Sequence, residues 1–225
     1  MLLPGIEGDA RAFARQLPLC KERTVLALDL PRGMDRLDAM AARTLAMLDL
    51  MGAPKRFALV GLSLGGLIGR AVVAQAPDRV AALVTLGSLP SPLVIPESVR
   101  RGRLGGAVMP GMMFDMLYGV RFRRHLAEEG VDPLLIEQLV ADLPDKTEVM
   151  RRLDAVLSWG LPDEIVAPTL YLLGQVDAEA PWTLADVMRL LPGVTVGVVP
   201  GGHRAPLTHP QAFHTAILTF LEGRR

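Results

Sequence analysis

The sequence predicts an α/β protein with a doubly wound, mostly parallel sheet, and three observations support this prediction. Short apolar runs alternate with longer segments of helical periodicity along most of the chain. The runs are apolar almost throughout, as expected when helices cover both faces of a parallel sheet. One helical stretch, residues 90–160, interrupts the alternation and contains no convincing strand. We therefore expect an α/β core with an inserted helical segment.

The elements of the core follow from composition and from terminal signals. The predicted strands are rich in leucine and β-branched residues and cover residues 24–30, 56–60, 80–87, 168–174 and 194–200, with a very short one at the initial MLL. The predicted helices have apolar residues at helical spacing and cover residues 9–19, 35–51, 64–76, 181–191 and 210–221. Proline in the first turn marks the last two helices, because its missing amide hydrogen is not needed there.

The interrupting stretch predicts a lid. Residues 1–89 and 161–225 form the predicted core, and residues 90–160 form a helical insertion rich in Pro, Gly and Met. Methionine is a flexible apolar side chain that adapts to varied surfaces. The methionines of the segment VMPGMMFDMLYG, residues 108–119, therefore either line an apolar acyl pocket or pack the lid onto the core.

Composition limits the partners and the compartment. The 225-residue chain has no formal net charge, so nothing in it favours a nucleic-acid partner. A single cysteine, Cys20, allows no internal disulfide, which fits a reducing compartment, and we expect a cytoplasmic protein. The start of the sequence does not resemble a signal peptide, and no apolar run reaches the roughly 18 residues of a spanning helix. We expect no metal and no cofactor.

A candidate nucleophile follows the second long strand. The sequence Gly61-Leu62-Ser63-Leu64-Gly65 matches G-x-S-x-G, between a predicted strand and a predicted helix. Glycines suit this motif because a serine at the tip of a tight strand-to-helix turn leaves no room for flanking side chains. An idle serine in a glycine turn is the alternative.

A serine hydroxyl is a weak nucleophile and needs a base. His203 follows the last strand, at the sheet edge where doubly wound folds place their chemistry, and it is the predicted base. His209, six residues on, is the alternative. We expect His125 on a solvated basic face of the lid and His214 on the surface of the last helix.

The base in turn needs an acid to orient it. Asp177 follows the penultimate strand and is the predicted acid, with Glu179 as the alternative. A developing oxyanion needs backbone donors. We predict the amide of Leu64, which follows the nucleophile at a helix N-terminus, and the amide of Ile6, in the turn after the first strand.

With these residues assembled, the sequence resembles the α/β-hydrolase superfamily over nearly its whole length. The segments that carry the resemblance are LLPGIEGD, VGLSLGG, APDRVAALVTLGS, APTLYLLGQVDAEAP and VVPGGHRAPLTHPQAFHTAILTFL. The resemblance implies a serine hydrolase with a triad of Ser63, Asp177 and His203 and no cofactor. The motif sequence GLSLGG is similar to that of some enol-lactonases and small carboxylesterases. Members that open epoxides or remove halides carry aspartate at the nucleophile position, so Ser63 argues against those activities.

One departure from the family concerns the sheet edge. Members usually have two strands before the oxyanion loop, whereas here the sequence starts at the strand of that loop. Family strand order then places residues 24–30 at the edge. An apolar edge invites pairing with another chain, so we expect a homodimer through this edge, or a cover from another element.

The predicted reaction is hydrolysis of a carboxylic ester, lactone or thioester of a small, apolar substrate. The alternatives are a catalytically silent binding protein on the same scaffold, because a fold does not establish a function, and a triad that catalyses carbon–carbon hydrolysis, perhydrolysis or acyl transfer. Six lid arginines either favour an anionic leaving group or form a solvated face; they are Arg100, Arg101, Arg103, Arg121, Arg123 and Arg124.

Overall fold

The computed structural model describes residues 1–19, 21 and 24–223 of the chain, so Cys20 lies outside the described residues. Its centre is a parallel sheet in which the strands follow one another in chain order. The strands are β1 (Leu2–Leu3), β2 (Phe57–Leu62), β3 (Val80–Leu86), β4 (Thr169–Gly174) and β5 (Thr195–Val199). All four pairings are parallel, which places the carboxyl ends of the strands at one edge.

Helices pack around this sheet, and a group of them lies between β3 and β4 in the sequence. Those of the core are α1 (Leu37–Leu50), α2 (Leu64–Gln75), α7 (Leu184–Leu190), α8 (Ala205–Thr208) and α9 (Pro210–Glu222). Those between β3 and β4 are α3 (Glu97–Val108), α4 (Gly111–Glu128), α5 (Pro133–Ala141) and α6 (Lys146–Ser158).

The central strands bury both of their faces. Leu59 and Leu83 pack in one apolar cluster with α1, α2 and α7. Their neighbours Val60 and Val84 point the other way and pack in a second cluster with α9. Helices on both faces explain why the strands are apolar almost throughout, and the predicted doubly wound fold is confirmed.

The prediction of a full strand at residues 24–30 is wrong. This segment contributes only an isolated parallel bridge between Ala27 and Leu2. The amide of Leu2 donates to the carbonyl of Leu26 at 2.8 Å, and the amide of Leu28 donates to the carbonyl of Leu2 at 3.1 Å. The ladder stops there because β1 is only two residues long. The segment nevertheless lies at the expected edge of the sheet, beyond β1.

Two predicted helices also need correction. Residues 9–19 form two short 3₁₀ turns, Ala10–Phe13 and Leu17–Leu19, instead of one α-helix. Pro18 provides no amide hydrogen for a helix through this segment. The helix predicted to start at Pro181 starts at Leu184, because Thr183 and Asp186 form a capping box there.

The predicted insertion contains helices α3 to α6, and within the described residues no strand lies between β3 and β4. Phe122 and Leu126 of α4 pack with Ile136 of α5 and with Leu207 of α8, which links the insertion to the core. Met112 is 90% exposed and Met116 is 61% exposed, so these two methionines fit neither role predicted for them. They lie on a face of α4 that is turned away from the core.

We predict that the edge formed by residues 24–30 pairs with a second copy. The backbone groups of Leu26 and Leu28 bond to Leu2, so strand alternation turns those of Val25 and Ala27 outward. Sedimentation at increasing concentration should show a dimer, and Ala27→Pro, which removes one outward amide hydrogen, should be monomeric. Thr24→Pro, at the start of this segment, is the control, because the same alternation turns the backbone groups of Thr24 away from a second copy. A wild-type monomer at every concentration would refute this prediction.

Candidate active site

Ser63 sits at the tip of a strained turn between β2 and α2. Its φ is 51° and its ψ is −116°, a conformation that residues other than glycine seldom adopt. The amide of Ser63 donates to the carbonyl of Leu86 at 2.9 Å, and the Ser88 hydroxyl donates to the carbonyl of Ser63 at 2.8 Å. The end of β3 and the residues after it therefore hold the strained turn in place.

The glycines around Ser63 remove side chains from contacts between backbone segments. A Cβ at Gly65 would collide with the carbonyls of Leu3 and Pro4, and one at Gly61 would collide with the backbone of Gly65 and Gly66. Strands β1 and β2 and the start of α2 therefore touch at this point. The predicted structural role of Gly61 and Gly65 has a direct steric cause.

His203 and Asp177 form a buried pair. Nδ1 of His203 lies 2.9 Å from Oδ2 of Asp177, and the two side chains are 3% and 2% exposed. Oδ1 of Asp177 accepts hydrogen bonds from the amides of Glu179 at 2.9 Å and Ala180 at 3.0 Å. Because the carboxylate is thus held by its own loop, Oδ2 is fixed toward the imidazole.

Gly87, which the sequence analysis did not single out, makes room for this pair. It follows β3 and has a φ of +58°. A Cβ at this position would lie 2.7 Å from Nδ1 of His203 and 2.8 Å from Oδ2 of Asp177. Gly87 lies just past the end of β3, the strand next to the one that leads to Ser63. A glycine at this position is a sequence signal that could have predicted its role.

Glu179, the alternative acid, faces the other imidazole nitrogen. Its Oε2 is 4.0 Å from Nε2 of His203, and its Oε1 is 3.4 Å from Nη2 of Arg204. Burial by itself would raise the pKa of Glu179, but Arg204 and His203 outweigh burial and lower that pKa to about 2. Of the two carboxylates, Asp177 is therefore the hydrogen-bonded partner and Glu179 a second negative charge.

These two carboxylates decide how His203 titrates. Burial of the imidazole by itself lowers its pKa, because burial disfavours the charged form. The negative charge of Glu179 and the hydrogen bond and charge of Asp177 outweigh burial, so the pKa of His203 is raised above its ordinary value.

The other histidines differ in their surroundings. His209, the alternative base, is exposed, and its Nδ1 lies 3.0 Å from the Thr208 hydroxyl. The expectations for the remaining two are wrong. His125 is half-buried and lines the cavity described next, and His214 is buried between α9 and the core. Both lie on the inner faces of their helices, which a short helical segment of mixed polarity does not reveal.

A cavity of about 650 Å³ joins these residues, and both Ser63 and His203 line it. One part of its wall is apolar and includes Leu67, Val156 and Trp182, whereas another part carries Tyr118, Glu179 and Arg204. Within the described residues no hydrogen bond connects the Ser63 hydroxyl to His203. The structure thus brings the serine and the histidine to one cavity without joining them directly.

Both predicted oxyanion donors belong to residues that line the same cavity, Leu64 and Ile6. A turn in which the amide of Gly8 donates to the carbonyl of Gly5 at 2.9 Å carries Ile6. The carbonyl of Ile6 accepts a hydrogen bond from Nη1 of Arg152 at 2.7 Å. Arg152 belongs to α6, so a helix of the insertion holds the turn that the sequence analysis assigned to the core.

Arg152 is itself fixed by Glu148, one helical turn earlier. Nε of Arg152 donates to Oε1 of Glu148 at 3.0 Å, and the Arg152 side chain is 1% exposed. Oε2 of Glu148 accepts from the amide of Gly33 at 2.9 Å. Gly8 has a φ of +77°, and a Cβ there would collide with the Arg152 guanidinium. This pair was not predicted from the sequence, although Glu and Arg at i and i+4 on one helix are a recognisable signal.

Among the described residues no group of three or more His, Cys, Asp or Glu side chains is placed to hold a metal ion. Within the described residues, every helix is too short or too polar to cross a membrane.

Comparison with known proteins establishes the family. The model of the alpha/beta hydrolase family matches residues 2–216, so the chain belongs to that family of hydrolases. It is 28% identical to the "Putative carbamate hydrolase RutD" of Variovorax paradoxus, over 98% of this chain and 90% of the relative. It is 26% identical to a "Pimeloyl-[acyl-carrier protein] methyl ester esterase" of Pectobacterium carotovorum, over 82% of this chain and 78% of that protein.

The fold has counterparts among solved structures. A thermophilic esterase from Thermogutta terrifontis superposes with a TM-score of 0.80 at 22% sequence identity. The superposition covers 99% of this chain and 89% of the esterase. This likeness confirms the α/β-hydrolase fold.

We predict that Arg152→Met destabilises the protein by about 3–5 kcal/mol, because the buried Glu148 would lose its hydrogen-bonded partner and keep only the contact with Arg151 at 3.9 Å. The double variant Arg152→Met/Glu148→Gln should recover most of that loss, since it leaves no unpaired buried charge. Denaturant unfolding measures both free energies. Equal stability of Arg152→Met and the wild type would contradict the structural role assigned to this pair.

Proposed function

We propose that the protein hydrolyses a carboxylic ester, lactone or thioester through an acyl-enzyme on Ser63. The observation that carries this proposal is the buried His203–Asp177 hydrogen bond in the wall of the cavity that the strained Ser63 turn also lines. A nucleophile, a base and an orienting acid arranged around one cavity are the parts that acyl transfer requires.

In the proposed mechanism, the Ser63 hydroxyl attacks the substrate carbonyl while Nε2 of His203 takes its proton. Asp177 accepts the Nδ1 hydrogen bond, which fixes the imidazole tautomer and stabilises the imidazolium. His203 then gives the proton to the leaving group, and an acyl-enzyme remains. A water molecule then attacks the acyl carbonyl while His203 takes its proton. His203 gives that proton to the Ser63 oxygen, and the acyl group leaves as a carboxylic acid.

The amides of Leu64 and Ile6 are the proposed donors to the oxyanion of the tetrahedral intermediate. Leu64 opens α2, and the first amides of a helix have no partner within the helix and favour negative charge. Ile6 lies on the cavity wall in the turn that Arg152 holds. Donors fixed in advance stabilise the transition state most effectively, because they need no reorganisation.

The apolar part of the cavity supports an apolar acyl or alcohol group on the substrate. The methyl ester esterase among the relatives supports ester chemistry in this family. The proposed partner is a small molecule and not a nucleic acid. The single cysteine supports a cytoplasmic location.

A silent binding protein is the second candidate, and the lack of a hydrogen bond between Ser63 and His203 favours it. Catalytic hydrogen bonds are often long without substrate and tighten when it binds. The intact set of nucleophile, base and acid supports the enzyme more strongly, because a binding protein has no need of it.

We predict that a fluorophosphonate adds once to the wild-type protein and that Ser63→Ala abolishes this adduct, because only an activated serine reacts. Ser98→Ala removes another serine of the cavity wall and is the matched control, which should still be labelled. Intact mass spectrometry measures the adduct. A folded wild type that remains unlabelled would favour the silent binding protein.

We predict that kcat/KM falls toward acid with a midpoint above pH 6.5, the ordinary pKa of histidine, because the base must be neutral and its pKa is raised. Glu179→Gln removes a negative charge that raises this pKa, so the midpoint should move to lower pH. Glu128→Gln, which also lies on the cavity wall, is the control and should not move it. A midpoint that moves to higher pH in Glu179→Gln would contradict the assignment.

A further inference from the structure

Arg204 places a buried guanidinium in the wall of the cavity. It follows His203 directly, its side chain is 4% exposed, and it lines the same cavity as Ser63. The guanidinium carbon lies 5.5 Å from the centre of the Phe122 ring, on helix α4 of the insertion. The charge is therefore held between the core and the insertion, at the polar part of the cavity.

Carboxylates already balance this charge. Nη2 of Arg204 is 3.6 Å from Oε1 of Glu7 and 3.4 Å from Oε1 of Glu179. Its backbone amide also donates to Oε2 of Glu129 at 2.7 Å. Burial raises the pKa of Glu129, but even without Glu129 the carboxylates of Glu7 and Glu179 match the two guanidiniums of Arg204 and Arg121, which also lines the cavity. The surroundings of Arg204 thus carry no excess positive charge that would attract an anion.

The hydrogen-bonding capacity of Arg204 is, in contrast, not filled. Its Nε and Nη1 are buried and have no hydrogen-bond partner within the described part of the chain. Buried donors without partners are costly, and most are satisfied in native proteins. Because Arg204 lines the cavity beside the proposed nucleophile, a molecule bound there is a candidate partner for these donors.

We infer that Arg204 recognises an uncharged acceptor oxygen, such as a ketone or amide carbonyl, on the substrate. This inference rests on the proposed function and specifies its substrate class. A purely alkyl group would leave the two nitrogens without a partner. A carboxylate would satisfy them but would meet the negative charges of Glu7 and Glu179. The substrate therefore combines an apolar part with a neutral polar group.

Three esters that differ at one position test this inference. The acyl chains of these esters are pentanoate, levulinate and half-succinate. At the fourth carbon they carry an alkyl group, a ketone and a carboxylate, respectively. The same three groups are also placed on the alcohol side of an acetate ester, because either half of the substrate can face Arg204. Calorimetry on Ser63→Ala measures binding without turnover.

We expect the ketone ester of at least one trio to bind about tenfold more tightly than both its alkyl and its carboxylate counterparts. In the Arg204→Met background this preference should disappear. Because that change leaves buried carboxylates unpaired, the double variant Arg204→Met/Glu7→Gln removes one charge of each sign and should also lose the preference. Arg121→Met removes an exposed positive charge from the same cavity wall and should retain it.

Equal binding of alkyl and ketone esters in both trios, tighter binding of the carboxylate, or no binding of either ketone ester would overturn the inference. So would a ketone preference that survives in a folded Arg204→Met variant. If that variant does not fold, the binding ratios measured on Ser63→Ala with Arg204 intact still decide. Ketone-selective binding without fluorophosphonate labelling would favour the silent binding protein over hydrolysis and leave the recognition by Arg204 intact.

Discussion

The Ser63 turn is held by direct contacts between backbone segments, and the rest of the site depends on these contacts. Glycine at positions 61 and 65 lets β1, β2 and α2 meet without intervening side chains. The carbonyl of Leu86 and the hydroxyl of Ser88 hold the strained residue from the side of β3. Backbone strain of about 1–3 kcal/mol persists only where the surroundings over-determine it, and such positions cluster at functional sites.

The insertion contributes to the site as well as covering it. Arg152 of α6 bonds to the carbonyl of Ile6, and Phe122 of α4 lies beside the guanidinium of Arg204. These contacts couple the turn of the proposed oxyanion donor and the polar part of the cavity to the helices between β3 and β4. His203 meanwhile lies between Asp177 at one nitrogen and Glu179 at the other, so its basicity is set by core loops.

Much of this arrangement could be predicted from the sequence, because local signals determine it. The serine turn needs its glycines, and the buried strands need apolar residues on both faces. Gly87 and Arg152 escaped prediction since their roles depend on partners far away in the chain, such as the Ile6 carbonyl, 146 residues from Arg152. Residues 24–30 have the composition of a strand, but β1 beside them has only two residues and pairs with them through a single bridge. Composition does not reveal the length of a partner.

In the proposed mechanism Ser63 and His203 act as one unit, with Asp177 orienting the imidazole, and a mutant cycle on the hydrolysis rate tests this coupling. Residues that act as a unit lose their contributions together, so single losses do not multiply. We predict that Ser63→Ala, His203→Ala and the double variant have equal residual rates for the ester that the wild type cleaves best. A double variant whose loss equals the product of the two single losses would contradict the claim, because the residues would then act independently.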